Sequence, residues 1–100
     1  MAYQLKLLSG IEKQLGRLPR SDRERVVQAM RSLATDPRPP GAIHFLDNLH
    51  RFRVGNYRIL YAVFDSELVV LVCKVARRTE VTYKDIRALL KRVRDMLGSA

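Results

Sequence analysis

One hundred residues, 47% of them apolar, suit a single globular domain spanning 1–100 and exclude a disordered chain. Nineteen Lys and Arg against ten Asp and Glu leave +9 at pH 7, which points to nucleic acid, an anionic surface or an acidic protein partner. No stretch approaches the ~20 apolar residues of a membrane span, and Met-Ala-Tyr-Gln-Leu-Lys lacks the apolar core of a signal peptide, so a cytoplasmic protein without membrane contact is expected.

Residues 2–8 alternate weakly and predict a short first strand. Ser9-Gly-Ile-Glu12 offers a capping box, in which hydroxyl and carboxylate would satisfy orphan N–H groups of a first helix carrying Ile11, Leu15 and Leu18 on one face. Pro19 interrupts that helix. Ser21-Asp-Arg-Glu24 repeats the signature and opens a second helix to about Ala34, burying Val26, Val27, Met30 and Leu33 and leaving Arg23, Arg25 and Arg31 in water. The two helices form an antiparallel hairpin, and residues 35–41, with three of the four prolines, end it as a stiff surface loop.

Residues 49–64 predict two strands joined at Gly55-Asn56, since tight hairpin turns need residues that tolerate positive φ. That turn pairs Val54 with Tyr57 and Arg53 with Arg58, and sets Arg51 diagonally across from Arg58 on the same face. Like charges directly opposite destabilise a sheet, so three guanidiniums on one face suggest a bound anion, with a phosphodiester as first candidate. Tyr57 and Tyr61 are expected in the core with Ile59 and Val63.

The near-continuous apolar run 68–76 marks a strand covered on both faces, with Asp65-Ser66-Glu67 as its turn. A three-residue loop there pairs Phe64 with Leu68, places Arg58 opposite Lys74, and carries Ala76 and Arg78 onto the arginine face. A two-residue loop would deliver Cys73, Val75 and Arg77 instead. Thr82-Tyr-Lys-Asp85 can cap a last helix with Ile86, Leu89, Leu90, Val93, Met96 and Leu97 inward and Lys84, Arg87, Lys91, Arg92 and Arg94 around it. The order is β-α-α-β-β-β-α: a small α+β domain whose mainly antiparallel sheet carries a helical hairpin on one face, closed by a C-terminal helix.

Cys73 is the only cysteine and sits in an apolar run, which favours a buried hydrophobe over a nucleophile. His44 and His50 have no cysteine or carboxylate at ligand spacing, so neither a metal nor another cofactor is expected. His50 has the pKa of a general base but alternates onto the face opposite Arg51.

The stretch Leu49-His-Arg-Phe-Arg-Val-Gly-Asn-Tyr-Arg-Ile-Leu-Tyr61, followed by Leu68 to Val75, Arg77-Arg78 and Tyr83, resembles the RelE/ParE superfamily of bacterial toxins from type II toxin–antitoxin modules, in its RelE-like branch. Element order, length and charge agree over essentially the whole chain; the specific match is confined to about residues 46–83. The resemblance implies a metal-independent endoribonuclease that enters the ribosomal A site and cuts mRNA by attack of a 2′-hydroxyl on the adjacent phosphate. It implies a site made of Arg51, Arg53, Arg58, Arg78 and Tyr83. It also implies a cognate acidic antitoxin as partner, ribosome and mRNA as targets, and operator DNA bound only through the toxin–antitoxin complex. The two strand positions commonly Lys in RelE are Arg here, which leaves the general base open; Tyr83, acidified by guanidiniums, is one candidate and base stacking its other role. A ParE-like inhibitor of DNA gyrase without nuclease chemistry, and a catalytically decayed RNA-binding module, are the alternatives.

Overall fold

A computed structural model of the chain describes residues 2–46, 48–77, 87–89, 91–93 and 95. The elements run β1 (Gln4–Leu7), α1 (Ile11–Gly16), α2 (Arg20–Thr35), β2 (Ile43–Leu46), β3 (Leu49–Val54), β4 (Tyr57–Phe64) and β5 (Val69–Arg77). Residues 87–89, 91–93 and 95 are helical, in the span of the expected last helix; its expected cap, Thr82 to Asp85, lies outside the described residues.

The five strands form one sheet in the order β1-β5-β4-β3-β2, with β1 parallel to β5 and every other pair antiparallel. The small α+β fold with a mainly antiparallel sheet is therefore as the sequence predicts. β2 is an addition: Ile43-His-Phe-Leu46, a segment for which the sequence predicts no element, follows the proline loop directly and pairs with β3. The hairpin α1–α2 covers one face. Val26, Met30 and Leu33 of α2 and Ile11 and Leu15 of α1 are buried in the same cluster as Tyr57, Ile59 and Tyr61.

Both helices start differently from the capping-box expectation. α1 begins after Gly10, whose φ of +94° is a left-handed conformation that favours glycine, and Ser9 is instead an acceptor for Arg92, through Oγ at 3.2 Å and its carbonyl at 3.4 Å. α2 begins after Pro19, and Glu24 accepts from Arg20 Nε at 3.3 Å one turn away rather than reaching back to a backbone N–H. Proline at this position sets the direction of the incoming chain without a side-chain cap, because its ring already restricts φ.

Loop 36–42 is held at three points. Tyr61 donates its hydroxyl to the Pro37 carbonyl at 2.7 Å inside the core. Arg38 grips the Asp65 carboxylate with its two terminal guanidinium nitrogens, Nη1 at 3.2 and Nη2 at 2.8 Å, and Tyr3 donates to the same carboxylate at 2.6 Å. The third is Asp36 Oδ1, which accepts from the Arg38 N–H at 3.3 Å. Arg38 holds the Asp65 carboxyl below the usual carboxylate range, and Asp65 in turn raises the Tyr3 phenol.

Candidate active site

The β3–β4 hairpin has the predicted register: Val54 faces Tyr57, Arg53 faces Arg58, and Arg51 faces Leu60, one step along from Arg58. Only Gly55 of the two turn residues has a positive φ, +58°, which fits a turn with glycine in its first central position. Arg53 Nε donates to the Gly55 carbonyl at 3.2 Å, anchoring its guanidinium beside the tip. On the α2 side, the Arg25 guanidinium lies so close beneath the turn that a Cβ on Gly55 would meet its Nη2 at 3.3 Å. Helical periodicity groups Arg25 with Arg23 and Arg31 as residues in water, and nothing in the pattern of α2 separates the three.

The register of β4 and β5 differs from expectation in two ways that offset one another. Residues 65–68 form a four-residue turn in which Leu68 takes φ of +54° and Phe64 pairs with Val69, not Leu68. One slip in register would have exchanged the faces. A bulge between Leu60 and Tyr61 then absorbs one extra β5 residue, Cys73, so that Leu60 faces Lys74 and Arg58 faces Ala76. Lys74 is thus diagonal to Arg58, not opposite it, and still shares its face.

The candidate face therefore carries Arg51, Arg53, Arg58 and Lys74 around Leu60 and Ala76. Arg51, Arg58 and Lys74 are half-buried and Arg53 is exposed. Leu49, Leu60, Ala62 and Leu71 on this side of the sheet are buried, and Leu89 and Val93, four residues apart on the C-terminal helical residues, belong to the same cluster. Arg78 and Tyr83 lie outside the described residues. Among the described positions of this face there is no carboxylate, histidine or tyrosine. The arrangement is suited to holding a polyanion and to stabilising negative charge that grows on phosphate oxygens, since guanidiniums donate bidentately and keep their protons.

The other face carries the expected core tyrosines and His50. Tyr57 donates to Asp22 Oδ2 at 2.9 Å, and that bond raises its pKa. Burial pushes the Tyr61 phenol up to about 12. His50, 5% exposed, stacks on Tyr61 with ring centroids 5.4 Å apart, faces His44 at 5.0 Å, and has Nδ1 3.0 Å from the Asn48 carbonyl. Desolvation lowers its pKa. It is on the wrong side of the sheet to serve the arginine face, as its alternation with Arg51 predicts. Cys73 is buried, and burial raises its thiol to about 12, which makes it a packing residue. Among the described residues no three His, Cys, Asp or Glu gather as metal ligands, and no helix is long and apolar enough to cross a membrane.

A basic α+β domain with an arginine-bearing hairpin is the class that fold and face define. Residues 5–82 match the profile of the ParE toxin of the type II toxin–antitoxin system parDE. A curated relative from Methanocaldococcus jannaschii, "Putative toxin RelE1", is 26% identical over 90 residues, covering 85% of this chain and 99% of the relative. Toxin in the RelE–RelB complex from Pyrococcus horikoshii superposes with a TM-score of 0.69 at 25% identity, over 81% of this chain and 100% of the other. A mutant of E. coli toxin RelE in the free state gives a TM-score of 0.74 at 22% identity, over 93% of this chain and 99% of the other, which speaks for the fold. The chain belongs to the ParE toxin family of type II toxin–antitoxin systems, and its fold is that of the RelE toxins.

Proposed function

We propose that this toxin is a ribosome-dependent endoribonuclease that cuts mRNA in the A site, neutralised by a cognate acidic antitoxin. The observation that carries the reading is the directly opposed pair Arg53–Arg58, with Arg51 and Lys74 on the same face. Four cationic side chains gathered on one small sheet face offer a phosphodiester several donors at once. Arg51, Arg53 and Arg58 hold the scissile phosphate and stabilise the charge developing on its oxygens as the 2′-hydroxyl attacks. Arg78 and Tyr83 enter on the resemblance alone: Arg78 as a further phosphate ligand, Tyr83 as the group that takes the 2′-hydroxyl proton or stacks on a base. The products are a 2′,3′-cyclic phosphate, or the 3′-phosphate left when water opens it, and a free 5′-hydroxyl. Ribosomal RNA is the surface to which the +9 charge docks. Operator DNA is reached only through the toxin–antitoxin complex. Antitoxin capture is supported by relatives whose structures are toxin–antitoxin complexes, from P. horikoshii and, at 23% identity, from E. coli.

The ParE label of the matching family supports a second reading, for which the ParE resemblance implies inhibition of DNA gyrase without nuclease chemistry. Primer extension on a reporter mRNA, translated with purified components and with or without ribosomes, separates the two. The nuclease reading expects cuts at A-site codons that need ribosomes and disappear with Arg58→Ala. Intact mRNA from a folded toxin that still arrests growth refutes it and leaves gyrase inhibition.

A further inference from the structure

β5 is longer than the strand beside it. β1 accompanies it only from Val69 to Val72, and the Leu8 N–H donating to the Val72 carbonyl at 2.9 Å is the last rung before the chain turns at Gly10 into α1. Beyond that point the strand edge has a side-chain substitute: Gln14 Oε1 of α1 accepts from the Val75 N–H at 3.0 Å. Among the described residues no strand accompanies β5 on this side beyond Val72; an edge of this kind is a template for pairing, and the Gln14 amide covers one donor of it.

Beside this edge opens a cleft of about 420 Å³ between the end of α1 and the end of β5, lined by Gln14, Arg17, Leu18, Lys74 and Arg77 among others. Among the described residues, three that line it are cationic and none is a carboxylate. Arg17 and Arg77 are exposed, while Leu18 and Val75 give the floor an apolar component. A backbone edge, a shallow apolar floor and flanking cations together fit an extended peptide that bears carboxylates. Nucleic acid would match the cations but has no use for a strand edge.

We infer that this cleft takes an extended, acidic segment of the antitoxin, which pairs with the edge of β5 at Val75 in place of Gln14 and sets its carboxylates against Arg17 and Arg77. The inference rests on the reading that a cognate antitoxin binds this chain, and it adds where one part of that partner docks.

The test uses the full toxin and its full cognate antitoxin. Amide exchange by NMR on ¹⁵N-labelled toxin reads the Val75 N–H directly, and titration calorimetry reads affinity. Exchange at Val75 slows at least tenfold in the complex, and the double charge reversal Arg17→Glu/Arg77→Glu weakens binding by about tenfold or more, as rim charges facing a complementary partner do. Lys13→Glu, an exposed α1 residue outside the cleft, controls for net charge and leaves affinity within about twofold. Normal binding with unchanged Val75 exchange and an unaffected double variant overturns the inference while the antitoxin reading stands. Loss of mRNA cleavage with intact antitoxin affinity in the double variant also overturns it and assigns the cleft to RNA. A folded toxin that forms no complex refutes the antitoxin reading itself and the inference with it.

Discussion

Removing one hydroxyl from the core costs this fold more than breaking its most conspicuous ion pair. Tyr61 is fully buried and donates at 2.7 Å to the carbonyl of Pro37, itself buried, so Tyr61→Phe leaves a backbone acceptor in the core with no donor and no access to water. That penalty is about 1–3 kcal/mol. The Arg38–Asp65 pair has two good hydrogen bonds, but its side chains are 51% and 59% exposed, and pairs so well solvated add little net stability. Thermal unfolding of the two variants decides between them. For a domain of this size each kcal/mol lowers Tm by roughly 4–8 °C, so Tyr61→Phe should lose about 5–20 °C and Arg38→Ala at most a few degrees. The phenol, pushed up to about 12, contributes no titration of its own below pH 10. A larger loss for Arg38→Ala than for Tyr61→Phe would refute the reasoning and make loop 36–42 an electrostatically held element.

His50 gives a pH dependence whose sign follows from burial. Its folded pKa lies below 6.5, so the unfolded chain binds the proton more readily; stability is full above pH 6.5 and falls as pH drops through 6.5 toward the folded value, by at most about 1.4 kcal/mol per pH unit. Urea denaturation between pH 5 and 7.5 should show that slope in the native chain and a flatter one in His50→Phe; equal slopes would count against it. Asp65 acts in a separate window, its lowered pKa giving stability that is lost only as pH falls below about 4, so Asp65→Asn should flatten the acid limb and slightly lower the stability above it, as read by the same urea series extended to about pH 2.5. Cys73, 2% exposed with a thiol raised to about 12, should react with a disulfide reagent at pH 8 only as fast as the chain unfolds, and reaction of the folded protein within seconds would show the strand to be open.

Features that depend on neighbours along the chain are legible in the amino-acid order alone. Gly55-Asn56 between two alternating runs sets the hairpin turn, and the turn dictates which residues oppose each other, so Arg53 against Arg58 and His50 on the far side from Arg51 both follow from local spacing. The apolar spacing of Val26, Met30 and Leu33 likewise selects the buried side of α2.

Features that depend on partners distant in the chain emerge only once it is folded. The bulge at Cys73 that returns Lys74 to the arginine face compensates a four-residue turn, and neither has a local signature, because Leu68 is not a residue that announces a left-handed conformation. β2 is four residues long and becomes a strand only by pairing with β3. Ser9 has the neighbours of a cap, yet Arg92, 83 residues away, binds it instead. Arg25 against Gly55 and Gln14 against Val75 are contacts between helix and sheet, and helical periodicity shows which way a side chain leaves its axis, not what it meets.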